Sequence, residues 1–394
     1  MKQRIINSVM LLFLLTTVPV LGQTTVIKRQ NTASVSNNQA AKTQAKRKSD
    51  DKVERRRRWK WNYGGHFSEG YAIVSDFEGE KYGFIDKMGK LVIPFKWKKV
   101  HPFSGGRALV VDDNEKVGYI DKSGELVVPC IYKYKHPNII RWDYSCYNFS
   151  DGLALVMDEN LKFGFIDRSG KLIVPCKWDG ADAFSEGVAR VKDETGNWGF
   201  IDKSGNLIIR CKWPYADRFS DGLACVIEKT NGNYGFIDKS GKLVIPYKLY
   251  RSRNFSEGLC EFWARGEEGF IDKTGKIIIP SIYSEAEPFN EGVTLVKDKN
   301  GKYGFIDKNG KVTIPCQWKE AKSFAEGLAL VKDDNGKYGY IDKTGIVVIP
   351  CKYSIAESFS EGLAHVKEYN SSNYGFDEYY INKFGEVILK NMDL

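Results

Sequence analysis

The sequence predicts an all-β chain of tandem three-stranded antiparallel meanders, about 35 residues each, stacked in an open solenoid-like array. Three observations predict it. An aromatic-Gly-Phe/Tyr-Ile-Asp string recurs with its Gly at 83, 118, 164, 199, 235, 269, 304, 339 and 375, and all but one spacing lies between 34 and 36 residues. Phe-Ser-Glu-Gly and its close variants recur nine times, with Phe at 67, 103, 149, 184, 219, 255, 289, 324 and 359. The connections inside each unit are tight turns rich in Gly, Asn, Asp and Ser, too short to hold helices. Of the 394 residues 42% are hydrophobic and 13% aromatic, which supplies a packed core and excludes a wholly disordered chain.

Residues 1–22 read as an export signal. Lys2 and Arg4 give a positive start, Ile5 to Val20 an apolar stretch, and Val20-Leu21-Gly22 a small-residue cleavage site. Residues 23–58 hold almost no large apolar side chain and end in Arg55-Arg56-Arg57-Arg58, so they read as a disordered basic linker. The formal charge of +9 is concentrated there: 23–60 carry 12 Lys/Arg against 3 Asp/Glu, whereas 61–394 carry 45 basic and 47 acidic residues, a net of −2. The body is therefore not a specific nucleic-acid binder. It also has no apolar run long enough for a transmembrane segment in the mature chain.

Residues 59–394 hold the nine repeats, and Gly327 to Tyr353 shows one unit. Leu328–Lys332 is its first strand, Asp333-Asp334-Asn335-Gly336 a hairpin turn, and Lys337–Ile341 its second strand. Asp342-Lys343-Thr344-Gly345 is the next turn and Ile346–Ile349 the third strand, where Pro350 marks an edge or the end of regular pairing. In the first strand the second position is mostly Ala and the fourth Val or Phe, so this face points inward and the variable third position toward water. A lone 35-residue meander is too small to fold unaided, so neighbours must stack into one array.

The run Tyr-Gly-Phe-Ile-Asp-Lys-x-Gly-Lys-x-Val-Ile-Pro, followed by Phe-Ser-Glu-Gly-Leu-Ala-x-Val, resembles the bacterial WG repeat over about residues 59–390. The Trp of that pattern survives only at Trp198-Gly199, with Tyr usual elsewhere. The resemblance implies a bacterial β-rich repeat protein, of a kind usually assigned to binding or left without an assigned activity, with no catalytic motif to carry over. The alternative architecture is a closed β-propeller. Blades of that fold usually have four strands and run to ~40–45 residues in the WD40 case, longer than this unit. Closure stays open because a stray Lys60-Trp61-Asn62 and the truncated last unit at Glu386–Leu389 either complete each other or are both caps.

The residues argue against an enzyme and imply no cofactor or metal. The sequence lacks His-Glu-x-x-His, Gly-x-Ser-x-Gly and the phosphate-cradling Gly-x-x-x-x-Gly-Lys. Its four His are scattered over different repeat contexts. The recurring Asp of Asp-Lys-Ser-Gly and the Glu of Phe-Ser-Glu-Gly suit turns better than a catalytic pair, since a scaffold needs them in every unit. Five of eight Cys (130, 176, 211, 316, 351) share one column with apolar residues and read as core thiols rather than disulfides. A parallel column, Trp61, Trp97, Tyr132, Trp178, Trp213, Tyr283, Trp318 and Tyr353, shares a face with Cys and Ile and reads as core before it reads as a sugar-stacking row.

The one irregular spacing, 46 residues between Gly118 and Gly164, inserts about 11 residues near Lys133 to Tyr147. Its His136, Arg141, Trp142 and Tyr144 are the candidate partner-binding residues, because Trp, Tyr and Arg dominate binding hot spots. The function expected is an exported, periplasmic or extracellular, non-catalytic scaffold that binds another protein. The alternative is a carbohydrate- or cell-wall-binding module with glycan as its partner.

Overall fold

A computed structural model describes residues 63–76, 78–135, 144–372 and 374–391. The expected export signal, the linker, Lys60-Trp61-Asn62 and Trp61 lie outside them. The all-β expectation holds: the described residues form nine consecutive antiparallel sheets and one short 3-10 turn. The first sheet comprises β1 (Tyr63–Ser68), β2 (Tyr71–Ser75), β3 (Tyr82–Asp86) and β4 (Leu91–Trp97), paired in that order. The second comprises β5 (Lys99–Val100), β6 (Ala108–Val111), β7 (Lys116–Ile120) and β8 (Leu126–Lys133).

The three-stranded open array is wrong on both counts. A fourth strand precedes the expected three. It was hidden because in most blades it is a two-residue ladder such as Glu285–Ala286 or Glu320–Ala321, or a single bridge such as Ala216↔Val226 or Ser252↔Phe262, within a Lys-, Glu- and Pro-rich stretch that reads as a linker. In the third blade, β9 (Leu153–Met157), β10 (Phe163–Asp167) and β11 (Leu172–Trp178), a 3-10 turn over Tyr144–Tyr147 leads into the hairpin instead.

The array closes into a nine-bladed propeller. Each blade sends an aromatic of its third strand against the Phe of the next blade's Phe-Ser-Glu-Gly hairpin: Phe84–Phe103, Tyr119–Phe149, Phe165–Phe184, Phe200–Phe219 and so on to Tyr340–Phe359, with centroids 4.8 to 5.1 Å apart. The ninth pair joins the last blade to the first, Tyr380 on Phe67 at 5.2 Å, edge to face. Tyr380 also donates its Oη to Gly65 O at 2.6 Å, across 315 residues of sequence. One apolar cluster holds Phe67, Ala72, Val74 and Ile85 together with Leu363 and Tyr380. Identical contacts at every seam impose the same rotation each time, and nine such rotations return the chain to its start. Among the described residues each end blade owns its four strands, β1 to β4 at the start and the strands from Ile355 to Asn391 at the end.

Closure also overturns the outward third position of the strand after the hairpin. Leu109, Leu155, Cys225, Glu261, Leu295 and Leu330 are all buried there, as are the Ala and Val of the other face. Both faces of each blade pack against neighbours, so this position is buried in seven of the nine blades and half-buried at Ile73 and Arg190.

The ninth motif copy needs a correction. Gly375 pairs with Asn370 near a hairpin end, and Tyr379, opposite Val366, occupies the position that Gly83 holds opposite Val74. The reason lies in the fourth strand. At Gly83 an added Cβ would lie 2.4 Å from Ile93 O, because β4 bulges between its pairings with Phe84 and Tyr82. In the last blade Tyr379 and Tyr380 pair with Lys390 and Leu389 without that bulge, leaving room for a ring.

Candidate functional site

Up-and-down pairing sorts the connections onto two faces of the ring. The Ser-Glu-Gly hairpins and the Asp-Lys-x-Gly turns lie on one face. The turns joining the second and third strands, and the links between blades, lie on the other.

On the hairpin face the repeated polar residues form a rim of seam bonds. Each hairpin puts two left-handed residues side by side, as in Glu69 (φ 51°) and Gly70 (φ 89°), the geometry of a two-residue turn with positive φ at both central positions. The outward carboxylate then crosses to the next blade. Glu69 Oε2 accepts the Gly106 N–H at 3.0 Å and pairs with Lys122 at 3.2 Å. The same oxygen of Glu186, Glu257, Glu291, Glu326 and Glu361 takes the next hairpin's Gly N–H and a Lys from the next blade's turn. Asp151 and Asp221 reach the Gly187 and Gly258 N–H groups at 2.7 and 2.5 Å. For Glu326, burial alone would raise the carboxyl, but Lys383 and the Gly362 N–H outweigh it and hold it below the usual range.

The residue before each carboxylate adds a second bond. Ser68, Ser104, Ser150, Ser185, Ser220 and Ser256 donate Oγ to the next blade's Phe carbonyl at 2.6 to 2.8 Å; Asn290 does so through Nδ2, and Ser360 closes the ring onto Phe67 O. Ala325 breaks this series. The carboxylate series breaks elsewhere, at Gly105 between the second and third blades. Sequence reasoning assigned these carboxylates to turns and missed that they join blades. The signal was present in the paired recurrence of Ser-Glu-Gly and Asp-Lys, but it needs the ring to be read.

The turn chemistry itself is as expected. Asp121 Oδ1 accepts the Ser123 hydroxyl and the Ser123 and Glu125 N–H groups, and the Ser123 hydroxyl above all holds its carboxyl below the usual range. Cys130, Cys176, Cys211, Cys225, Cys260, Cys316 and Cys351 are free thiols. Burial pushes the column thiols Cys130, Cys176 and Cys211 up to about 11, so they are not nucleophiles at neutral pH. Trp97, Trp178, Trp213 and Tyr353 are buried in the seams and Tyr132, Tyr283 and Trp318 half-buried, so among the described residues this column offers no exposed row for stacking sugars. A cleft of about 530 Å³ between the fifth and sixth blades is lined by Tyr215, Asp217, Tyr234, Arg251 and Arg253. Both arginines stack on Trp263, at 4.8 and 5.4 Å.

Of the four candidate binding residues, His136, Arg141 and Trp142 lie outside the described residues. Tyr144 opens the 3-10 turn. The flanks of the insertion are anchored, with Tyr134, Cys146 and Tyr147 all buried in the core at this seam. Its described flanks leave β8 at Tyr134 and enter the third blade at Tyr147, on the face opposite the rim. Among the described residues no helix is long and apolar enough to cross a membrane, and no cluster of three or more His, Cys, Asp or Glu is placed to hold a metal.

These features define a non-covalently closed repeat propeller whose recurring chemistry serves its seams. The model of the WG containing repeat matches residues 82–115, 118–161, 163–194, 198–229, 234–262, 269–303, 303–338 and 338–370, and the chain belongs to that family. Each matched unit spans the last two strands of one blade and the first two of the next. No curated protein matches the chain. Among solved structures it is similar to BamB from Moraxella catarrhalis, at 13% identity over 61% of this chain and 82% of that one, with a TM-score of 0.38. The C-terminal WD40 domain of Sif2 is 12% identical over 59% and 79%, with a TM-score of 0.34. PorZ, a bacterial surface component of the type-IX secretion system of Porphyromonas gingivalis, is 11% identical over 85% of this chain and 52% of its own, with a TM-score of 0.28. Closure of the ring stands on its ninth seam and not on these likenesses.

Proposed function

We propose that the protein is an exported, non-catalytic scaffold that holds another protein at the bacterial cell envelope or outside the cell. One observation carries the reading. The recurring Ser, Glu, Asp and Phe side chains are spent on turns and seams, so repeated chemistry is accounted for by folding. Partner choice then falls to what is not repeated, and the longest such stretch is the connection from Tyr134 to Tyr147, anchored by buried residues at both ends. Export is supported by the charged start, apolar stretch and small-residue site of residues 1–22.

The test uses the full chain as bait on envelope and culture-supernatant fractions. A discrete protein partner is retained by the parent. Arg141→Ala and Trp142→Ala each weaken capture by about 1–4 kcal/mol, with the melting temperature unchanged. Capture of no protein, or capture indifferent to both substitutions, overturns the reading. Recovery of the protein only in the cytoplasm overturns its exported part.

A further inference from the structure

The rim contains its own controls. In eight seams a carboxylate of one blade takes the hairpin Gly N–H of the next, and in six of them a turn lysine converges on the same oxygen. Between the second and third blades the donors are in place without the acceptor. Gly105 has no carboxylate to give. The Gly152 N–H and the Arg168 side chain, which stand where the other seams place their Gly and Lys, make no hydrogen bond or ion pair among the described residues.

This seam is also unusually cationic. Arg168 replaces lysine, is exposed, and rests its guanidinium on Gly105: a Cβ there would lie 2.8 Å from Nη2 and 3.2 Å from Nε. Arg107 stands where the other blades carry Leu, Val or Tyr, and donates Nε to Arg168 O at 3.2 Å and Nη1 to Gly106 O at 3.0 Å. The acidic residues of the adjoining turns and hairpin bond elsewhere: Asp121 Oδ1 and Asp167 Oδ1 accept hydrogen bonds within their own turns, and Asp151 takes the Gly187 N–H.

We propose that this seam binds a carboxylate supplied from outside the chain, seated between the Gly152 N–H and the Arg168 guanidinium with Arg107 alongside. The ligand is the acidic side chain or the C-terminal carboxylate of a peptide. The sister seams fix the geometry as that of a carboxylate, one oxygen taking both N–H and cation at about 3 Å. The planar fork of arginine matches a planar carboxylate better than a spherical anion. The site uses none of the insertion's residues, so it stands or falls independently of the partner-binding reading.

The experiment follows the Gly152 amide by NMR in the full chain, with glycine labelled at nitrogen. Two probes are titrated: N-acetylglycine, which carries only a terminal carboxylate, and N-acetylglutamic acid α-amide, which carries only a side-chain one. Saturable movement of Gly152 with either probe, and none of Gly187, is the expected result; the probe that moves it identifies the source. Arg168→Ala weakens the response by about tenfold or more. Gly105→Glu supplies the acceptor internally and abolishes it. At φ 60° Gly105 lies beside the 51–54° of its eight carboxylate counterparts, so glutamate is tolerated there, and unchanged glycine signals from other blades check the fold. The proposal is overturned if neither probe moves Gly152, if chloride at equal ionic strength moves it as much, or if Gly105→Glu leaves the response intact.

Discussion

Glu261 is fully buried at a position where other blades carry Leu109, Leu155, Leu295 and Leu330, and neither of its carboxylate oxygens has a hydrogen-bond partner among the described residues. Burial, opposed in part by Arg253 and reinforced by Glu268 and Glu287, pushes the carboxyl from 4.5 up to about 7. The sign follows. Below pH 4.5 the group is protonated in both states and costs little. Between 4.5 and about 7 only the unfolded chain releases its proton, so stability falls as pH rises, and above about 7 the whole charge is buried. Glu261→Leu, which copies the sister blades, is expected to stabilise by about 1–3 kcal/mol at pH 8 and by less at pH 5. Denaturant unfolding at the two pH values checks this; an equal gain at both, or a loss, contradicts it.

Within a blade, the bulged fourth strand and the Gly of the third strand form one device. At Gly304 an added Cβ would meet Ile314 O at 2.6 Å and Cys316 N at 2.7 Å, backbone atoms that cannot step aside. Gly304→Ala is therefore expected to cost about 1–3 kcal/mol, read from the urea midpoint at constant slope. No measurable cost would mean that the bulge flattens easily. The element scale is also where the sequence was most legible. Two strands, both turns, the buried Ala/Val face and the edge character of the Pro-bearing strand follow from period and turn chemistry. The strand before the hairpin does not, because Lys99–Val100 or Glu320–Ala321 carries too few residues for any alternation. The ninth copy misled for a simpler reason: Tyr374-Gly375-Phe376 repeats the letters of the motif four residues out of register.

At the scale of the whole ring, the aromatic pair recurs at every seam, including the one no sequence comparison places side by side. Ser185 Oγ bonds to Phe219 O at 2.8 Å and Ser360 Oγ to Phe67 O at 2.7 Å. Ser185→Ala and Ser360→Ala should therefore each cost about 1 kcal/mol, equal within about 0.5. A free substitution at Ser360 beside a costly one at Ser185 would mean that the ring does not close in solution. The rotation from blade to blade leaves no mark in the sequence, which is why open and closed arrangements read alike. The gap in the rim is different. Gly105 and Arg168 are plain in the sequence, but they become a site only once Glu69 is seen to reach the next blade.

Among the described residues the ring is contiguous blade by blade, with no strand lent from one end to the other. Eight joints are therefore backed by a peptide link and the ninth by non-covalent contacts alone, chiefly Tyr380 on Phe67 and Glu361 on Gly70. A bracelet made this way has a clasp. Tension carried along the chain from its two ends falls wholly on that joint and not on the other eight, so a pull that parts the clasp leaves each blade still folded and strung in line.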